Sequence, residues 1–261
     1  WGSFDYSSQE PRWLMHYASL APSTRESDKV KEIVKQYQES DVDFHQIMAD
    51  IAGVDRYQAK IINLGTMYGM GIGKLAQTLG DIPFEEAKEI RREYDEKVPF
   101  IRALASSVMD AASKRREIRT LLGRKCRFPM REPRGFSKEA KTIIHAEKLE
   151  EQWQEILSIP VEERDQNWSR SNPATYQVAF VYKSLNRLIQ ASAADQTKKA
   201  MQDCIDRGHW PMLTVHDELC FSIESDDQVT EIKDLMENCV PDMKIPSRID
   251  VGLGDNWGSA K

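Results

Sequence analysis

"PMLTVHDELCFSIES", Pro211–Ser225, has the apolar, β-branched flanks of a buried β-hairpin, yet its middle is His216, Asp217 and Glu218. A carboxylate taken out of water without a partner costs several kcal/mol or neutralises itself through a shifted pKa. Something else in the chain has to offset that cost. "WGSFDYSSQEPR" at the other end supplies a candidate: residues 1–6 read as a strand that carries Asp5. Strands far apart in sequence meet readily in one sheet, so Asp5 and Asp217 are candidates for one site. Taken alone, Asp5 reads equally well as a turn or capping residue, and His216 as a turn or core histidine.

Between these strands the pattern is mostly helical. "QEPRWLMHYASL" reads as a helix beginning near Pro11, which suits a first-turn position. "DKVKEIVKQYQES" and "DVDFHQIMADIAG" are amphipathic, the second closed by Gly53. "DRYQAKIINLGTMYG" follows with Asp55 as its N-cap. Residues 84–117 continue helical with a break near Pro99, and "REIRTLLGRKCRFPMR" reads as strand, glycine turn and strand. Residues 138–157 read as a charged helix and 158–173 as a loop. "QVAFVYKSLNRLIQASAADQTKKAMQDCIDRG" reads as one long helix or two joined ones, residues 226–240 as another helix, and "SRIDVGLG" as a last strand. Strands separated by long helical excursions give the class α+β.

Within the helix at 56–69, Arg56, Lys60, Leu64 and Tyr68 recur every four residues and drift only about 40° per step. They form one slanting stripe of two cations, an apolar residue and an aromatic. Such a stripe suits a triphosphate at one end and a stacked base at the other, and it also suits a solvated helix face. The nearby "YGMGIGK" mimics a phosphate cradle but follows a helix rather than a strand, so Gly69, Gly71 and Gly73 are read as ending the helix and turning the chain. Hard divalent cations such as Mg²⁺ take one or two carboxylates plus substrate phosphates, and two such ions clamp an in-line phosphoryl displacement. That chemistry would keep Asp217 charged beside Asp5.

The chain has 261 residues, 40% hydrophobic and 30% charged, enough for a substantial core. It shows neither an apolar run long enough to span a bilayer nor a secretory leader. Four dispersed cysteines without C-x-x-C spacing favour free thiols in a reducing compartment over a zinc site. The net charge of −6 hides an asymmetry: nine lysines and arginines fall between Lys114 and Arg134 against Glu117 and Glu132, and residues 147–165 reverse the sign. Clustered charge makes a field that a polyanion feels, although a solvated face explains it equally.

Together these elements resemble the polymerase region of family A DNA polymerases, the bacterial polymerase I and phage replicative group. The family's D-Y-S-x-x-E-x-R motif stands here as Asp5, Tyr6, Ser7, Glu10 and Arg12, and its D-x-H element as Asp43, Phe44 and His45. Its fingers helix matches Arg56, Lys60, Tyr68 and Gly69. "TLLGRKCRFP", "NRLIQASAAD", "VHDEL" and the terminal "VGLGDNWGSAK" are similar to its remaining elements.

The resemblance implies a right-hand palm of antiparallel sheet with helical fingers. Palm would take 1–42 and 181–261, fingers 43–135, and a connection with an acidic insertion 136–180. It implies template-directed DNA synthesis by two-metal nucleotidyl transfer from a dNTP to a primer 3′-hydroxyl. Asp5, Asp217 and the Tyr6 carbonyl would hold two Mg²⁺ ions, with Mn²⁺ as a substitute, and Glu218 would support them. His45, Arg56 and Lys60 would bind the triphosphate, and Lys60 would protonate the leaving pyrophosphate. Glu10 would be the steric gate beneath Tyr68, with Leu64 bordering the sugar. Arg12, Arg124, Asn186, Gln190 and His216 would meet primer–template DNA.

The sequence also departs from the family. Leu64 replaces a Phe or Tyr, which predicts poor use of dideoxynucleotides. Ser8, Gln9, Pro11 and Tyr182 are unusual, Ala191 and Ser192 stand for Gly-Thr, and the loop at 147–172 is longer and phage-like. The chain opens without methionine and enters a strand at once, so it is expected to be cut from something longer. A thumb and an exonuclease are expected on a preceding part or a separate chain, which predicts distributive synthesis from this chain alone. The expected location is the cytoplasm of a phage-infected bacterium, or else an organelle, with no membrane partner. Two rivals remain at this point. A single-subunit RNA polymerase is opposed by Glu10, and a non-catalytic DNA-binding remnant by the joint presence of Asp5, Asp217 and Lys60.

Overall fold

The structure, a computed structural model, describes residues 1–40, 42–135, 143–165 and 168–260. Its organising element is a four-stranded antiparallel sheet in the order β7-β8-β1-β9, where β1 is Gly2–Tyr6, β7 Leu213–Val215, β8 Glu218–Phe221 and β9 Ile249–Leu253. Chain ends and hairpin thus share one sheet, as the carboxylate argument requires. β8 is buried throughout, whereas the edge strand β7 exposes Leu213 and Thr214, so only half of the hairpin is core.

Helix α1 (Gln9–Leu20), α9 (Ser184–Asp206) and α10 (Asp226–Asn238) cover the sheet. Phe4 meets Phe221 edge-on at 5.5 Å, and Trp13, Leu14, Ile189, Cys204, Ile232 and Met236 close the core around them. Polar side chains fix how α1 and α9 dock. Trp13 Nε1 donates to Gln196 Oε1 at 2.8 Å, and the Gln196 amide donates to Ser247 Oγ at 2.6 Å. His16, fully buried, accepts the Lys244 amide on Nδ1 at 3.0 Å. Burial holds its pKa down at about 4, with Lys244 adding to the effect. All four cysteines are free.

A second helical layer comprises α2 (Asp28–Glu39), α3 (Phe44–Ala52), α4 (Arg56–Met67), α5 (Ile72–Thr78), α6 (Phe84–Lys97) and α7 (Pro99–Arg115). The expected signals place their ends. Gly53 closes α3 at φ 70°, Asp55 accepts from the Gln58 amide, and Pro99 opens α7, while Asp43, not read as a cap, accepts from the His45 and Gln46 amides. Gly73 lies inside α5, so the glycine run turns the chain at Gly69–Gly71 only.

The excursion after α7 departs most from expectation. It forms the hairpin β2 (Glu117–Arg119) and β3 (Lys125–Arg127), then a sheet of order β5-β4-β6 from β4 (Met130–Pro133), β5 (Ile144–His145) and β6 (Tyr176–Val178). Helix α8 runs over Ala146–Ser158; the start of the helix expected at 138 lies outside the described residues. Gln177 and Val178, expected as helix, are strand because Tyr176–Val178 pairs with β4 and Phe180 is left-handed at φ 62°. Only from Ser184 does one helix of 23 residues run.

The tail completes the sheet. A Cβ on Gly252 would stand 1.8 Å from the carbonyl oxygen of buried Ala260, so only glycine permits this approach of the last residues to β9. Among the described residues, no helix is long and apolar enough to cross a membrane.

Candidate active site

Asp5 is the exposed position of an otherwise buried strand, with Glu218 opposite it on β8 and Asp250 opposite it on β9. Directly opposed acidic residues repel, so this row is destabilised unless positive charge compensates it. Asp217 occupies the hairpin turn after His216, whose φ of 55° is left-handed, and its carboxyl reaches Asp5 within hydrogen-bonding distance. Burial pushes the Asp217 pKa up and Glu218 adds to this, while its own backbone amide, His216 and Asp5 pull it down. A buried carboxyl beside a second carboxylate is what a divalent cation relieves. Among the described residues no group of three or more His, Cys, Asp and Glu is arranged to hold a metal. The two carboxylates, Asp5 and Asp217, are oxygen donors of the kind a hard cation such as Mg²⁺ takes, alongside oxygens from water and substrate.

Glu218, expected to act beside the metals, is 4% exposed. Its Oε1 accepts from Ser3 Oγ at 2.6 Å, Trp257 Nε1 at 2.9 Å and Cys220 Sγ at 3.2 Å. This bonding braces the first residue of β8, directly after Asp217 in the turn. Tyr6 is likewise anchored, its hydroxyl donating to the Met236 carbonyl at 2.8 Å.

The cationic side is built on α3 and α4. Arg56 Nε meets Asp43 Oδ2 at 2.6 Å, and this same aspartate caps the helix that begins with Phe44 and His45. Burial lowers the pKa of His45; Asp43 opposes this, and Lys60 and Arg56 reinforce it. The three residues expected on a triphosphate thus share one electrostatic neighbourhood. Behind them, buried Tyr94 donates its hydroxyl to Asn63 Oδ1 at 2.5 Å, and Asn63 Nδ2 lies 3.2 Å from His45 Nδ1. Since the amide oxygen accepts from Tyr94, its nitrogen donates to His45, which leaves the imidazole proton on Nε2.

The gate residues also meet. Tyr68 donates to Glu10 Oε2 at 2.5 Å, and Gln190 hydrogen-bonds the same hydroxyl. Burial, then Glu10, holds that phenol far above its usual range. Leu64 is half-buried one turn before. α1, α4 and α9 thereby converge on one point.

Of the residues expected on DNA, Asn186 is half-buried and Gln190 and His216 are exposed. Arg124 is partly exposed and pairs with Asp195 at 2.5 Å, while Thr120 Oγ1 donates to the other Asp195 oxygen at 2.7 Å. Arg12 departs from expectation. It is 2% exposed, donates to the Ser7 and Pro246 carbonyls at 2.7 and 2.6 Å, and lies over the Tyr37 ring. A guanidinium buried in this way fastens β1 to the loop before β9 and does not face DNA.

Asn63 and Tyr94 were not singled out in the sequence, and Thr120, Asp195 and Trp257 stood in family-like elements without a role. The available signal was polarity inside apolar helical faces, as with Asn63 between Ile62 and Leu64. Asp250 was legible as the single charge in its strand.

A sequence profile of DNA polymerase family A matches residues 1–259. The chain belongs to that family. Among its relatives it is 32% identical over 295 residues to the DNA-directed DNA polymerase of Pseudomonas phage M6, covering 99% of this chain and 38% of that one. The thermostable DNA polymerase I of Thermus aquaticus is 30% identical over 213 residues, covering 79% of this chain and 21% of that enzyme. The POL domain of Pol1 from M. smegmatis, solved in complex with DNA primer-template and dNTP, has the same fold at a TM-score of 0.66 and 24% identity, covering 99% of this chain and 40% of that one. This family A chain thus spans well under half the length of the relatives it matches.

Proposed function

We propose that this chain is the palm and fingers of a phage-type DNA polymerase that extends a primer by nucleotidyl transfer from a dNTP. The observation that carries the reading is the contact of Asp5 with Asp217 across two strands from opposite ends of the chain. Palm takes 1–42 and 181–261, fingers 43–135, and residues 136–180 connect them.

Asp5, Asp217 and the Tyr6 carbonyl would hold two Mg²⁺ ions, which supply acidity to the primer hydroxyl and charge for the leaving oxygen. Arg56, Lys60 and the Nε2–H of His45 receive the triphosphate, and Lys60 Nζ gives a proton to departing pyrophosphate. The Glu10–Tyr68 pair fills the space a ribose 2′-hydroxyl would need, so deoxyribose is selected by volume. Glu10 also disfavours the ribonucleotide-polymerase alternative. Asn186, Gln190, His216 and Arg124 follow the primer–template, and the host cytoplasm is where such DNA would be met.

Single-nucleotide primer extension with Mg²⁺ tests this on the full chain. Asp217→Ala is expected to lower the rate about 10³-fold, the several kcal/mol that metal-borne charge stabilisation supplies. Extension by the folded variant at the parental rate overturns the assignment.

A further inference from the structure

Three carboxylates stand in a row across the four-stranded sheet, and the fold does not treat them alike. β1 runs between β8 and β9, and its register sets Glu218 directly opposite Asp5 on one side and Asp250 directly opposite it on the other. Directly opposed residues of an antiparallel pair share one face, with Cβ atoms about 4.5–5.5 Å apart. All three acids therefore belong to the face on which Asp5 is exposed.

The tail after β9 turns back over this face and disposes of one of them. It lies close enough to β9 that a Cβ on Gly252, two residues after Asp250, would meet the Ala260 carbonyl, and Trp257 Nε1 reaches Glu218 Oε1 at 2.9 Å. Ser3 Oγ and Cys220 Sγ donate to the same oxygen, and Glu218 is buried. Asp250 receives nothing of the kind. It is exposed on the edge strand, and among the described residues its carboxylate has neither a donor nor a cation. The nearest basic residue in sequence, Arg248, is turned to Glu237 at 3.8 Å.

An acid directly opposite another acid destabilises the pair. A charge on an edge strand does guard against unwanted pairing, yet a lysine would guard equally and would offset Asp5 as well. The sign of the charge is what needs a reason. Ligation is not that reason, because among the described residues no group of three His, Cys, Asp or Glu is arranged to hold a metal. Field is. Asp250 stands one inter-strand spacing from Asp5, well inside the ~10 Å over which charges are felt at 0.1 M salt.

We propose that Asp250 is an electrostatic auxiliary of the carboxylate site: it deepens the negative field at Asp5 and so tightens the hold of Asp5 and Asp217 on divalent cations without ligating them. This rests on the polymerase reading above. The repulsion that Asp250 adds to the empty row is released when a cation arrives, so its cost to the fold and its gain to the site are one interaction in two states.

The test is uptake of Mn²⁺ by the full chain, read as loss of the free ion's electron paramagnetic resonance signal, alongside thermal melts without metal. Asp250→Asn is expected to weaken Mn²⁺ binding about fivefold at roughly 0.01 M salt, and to lose most of that difference at about 1 M, where charges are screened beyond ~3 Å. Asp250→Glu should restore the parental constant. Without metal, Asp250→Asn should melt about 2 °C above the parent, because relief of the repulsion stabilises the empty row. The two effects have opposite signs, so a misfolded variant cannot imitate both. In primer extension the Mg²⁺ concentration for half-maximal rate should rise about fivefold in Asp250→Asn, with the rate at saturating Mg²⁺ within about a factor of two of the parent. Unchanged Mn²⁺ binding in Asp250→Asn, or a loss that Asp250→Glu does not restore, overturns the proposal. Asp217→Ala reads the underlying assignment separately. If it too leaves Mn²⁺ uptake unchanged, the metal site itself is misplaced; if it abolishes uptake while Asp250→Asn does nothing, only the role of Asp250 falls.

Discussion

The two sides of the active site are built on opposite principles. On the sheet side, Asp5 and Asp217 are placed by strand register, and the groups behind them are buried and saturated: Glu218 takes three donors on one oxygen, and Arg12 is wedged between two carbonyls and a ring. On the helical side, Arg56 and Lys60 are exposed on α4, and the Arg56–Asp43 pair is about half open to solvent. Exposed pairs contribute little and break easily, whereas a buried hydrogen-bonded group is expensive to disturb. The contrast suits what the proposed nucleotidyl transfer would ask of each side. The carboxylates must hold cations at fixed separation, while the cations must let go of one partner and take a phosphate.

If that contrast is right, acid should attack the sheet side first and hardest. His16 is buried neutral between α1 and Lys244, with its pKa lowered to about 4 from the usual value near 6.5. The unfolded chain binds the proton more tightly, so the stability held at neutral pH is lost as pH falls from about 6.5 towards 4. The interval is worth about 3 kcal/mol. Unfolding free energies from urea titrations at pH 7 and pH 4.5 should differ less, by roughly that amount, in His16→Phe than in the parent; equal differences would break the comparison.

A smaller effect is expected where the helical side borrows rigidity. Asn63 and Tyr94 fix which imidazole nitrogen of His45 carries the proton, so Asn63→Leu should raise KM for the dNTP about tenfold with little change in kcat, and Tyr94→Phe less. KM should also climb more steeply in Asn63→Leu than in the parent as pH rises through the imidazole range, because the neutral ring no longer has its proton fixed on Nε2, a readout that loss of packing alone does not move. A fall confined to kcat would place these residues elsewhere in the mechanism. The smallest expected effect is at Leu64. Leu64→Tyr should improve the use of ddTTP relative to dTTP a few-fold, and an unchanged ratio would remove Leu64 from sugar selection.

The sheet side was the more legible in the sequence. Asp5 set between Phe4 and Tyr6, and three ionisable residues at the centre of an apolar hairpin, stand out along the sequence, and two strands so marked have few ways to pair. The helix ends at Gly53, Asp55 and Pro99 were equally readable, because capping is local chemistry. What escaped was non-local or contrary to residue type. Arg12 carries a charge within a motif, yet its partners Pro246 and Tyr37 are remote in sequence. Residues 176–183 have helical apolar spacing, but Phe180 adopts a backbone region that bulky residues avoid, and pairing with β4 decides the matter. Asn63 looked like a polar interruption until Tyr94 was seen to complete it.

The tail that Gly252 admits has a reach beyond its own packing. Trp257 places its indole on Glu218, next in sequence to Asp217, and Ala260 is clasped against β9. A change confined to Trp257 would register at the bench as an enzymatic lesion, transmitted through the carboxylate it donates to.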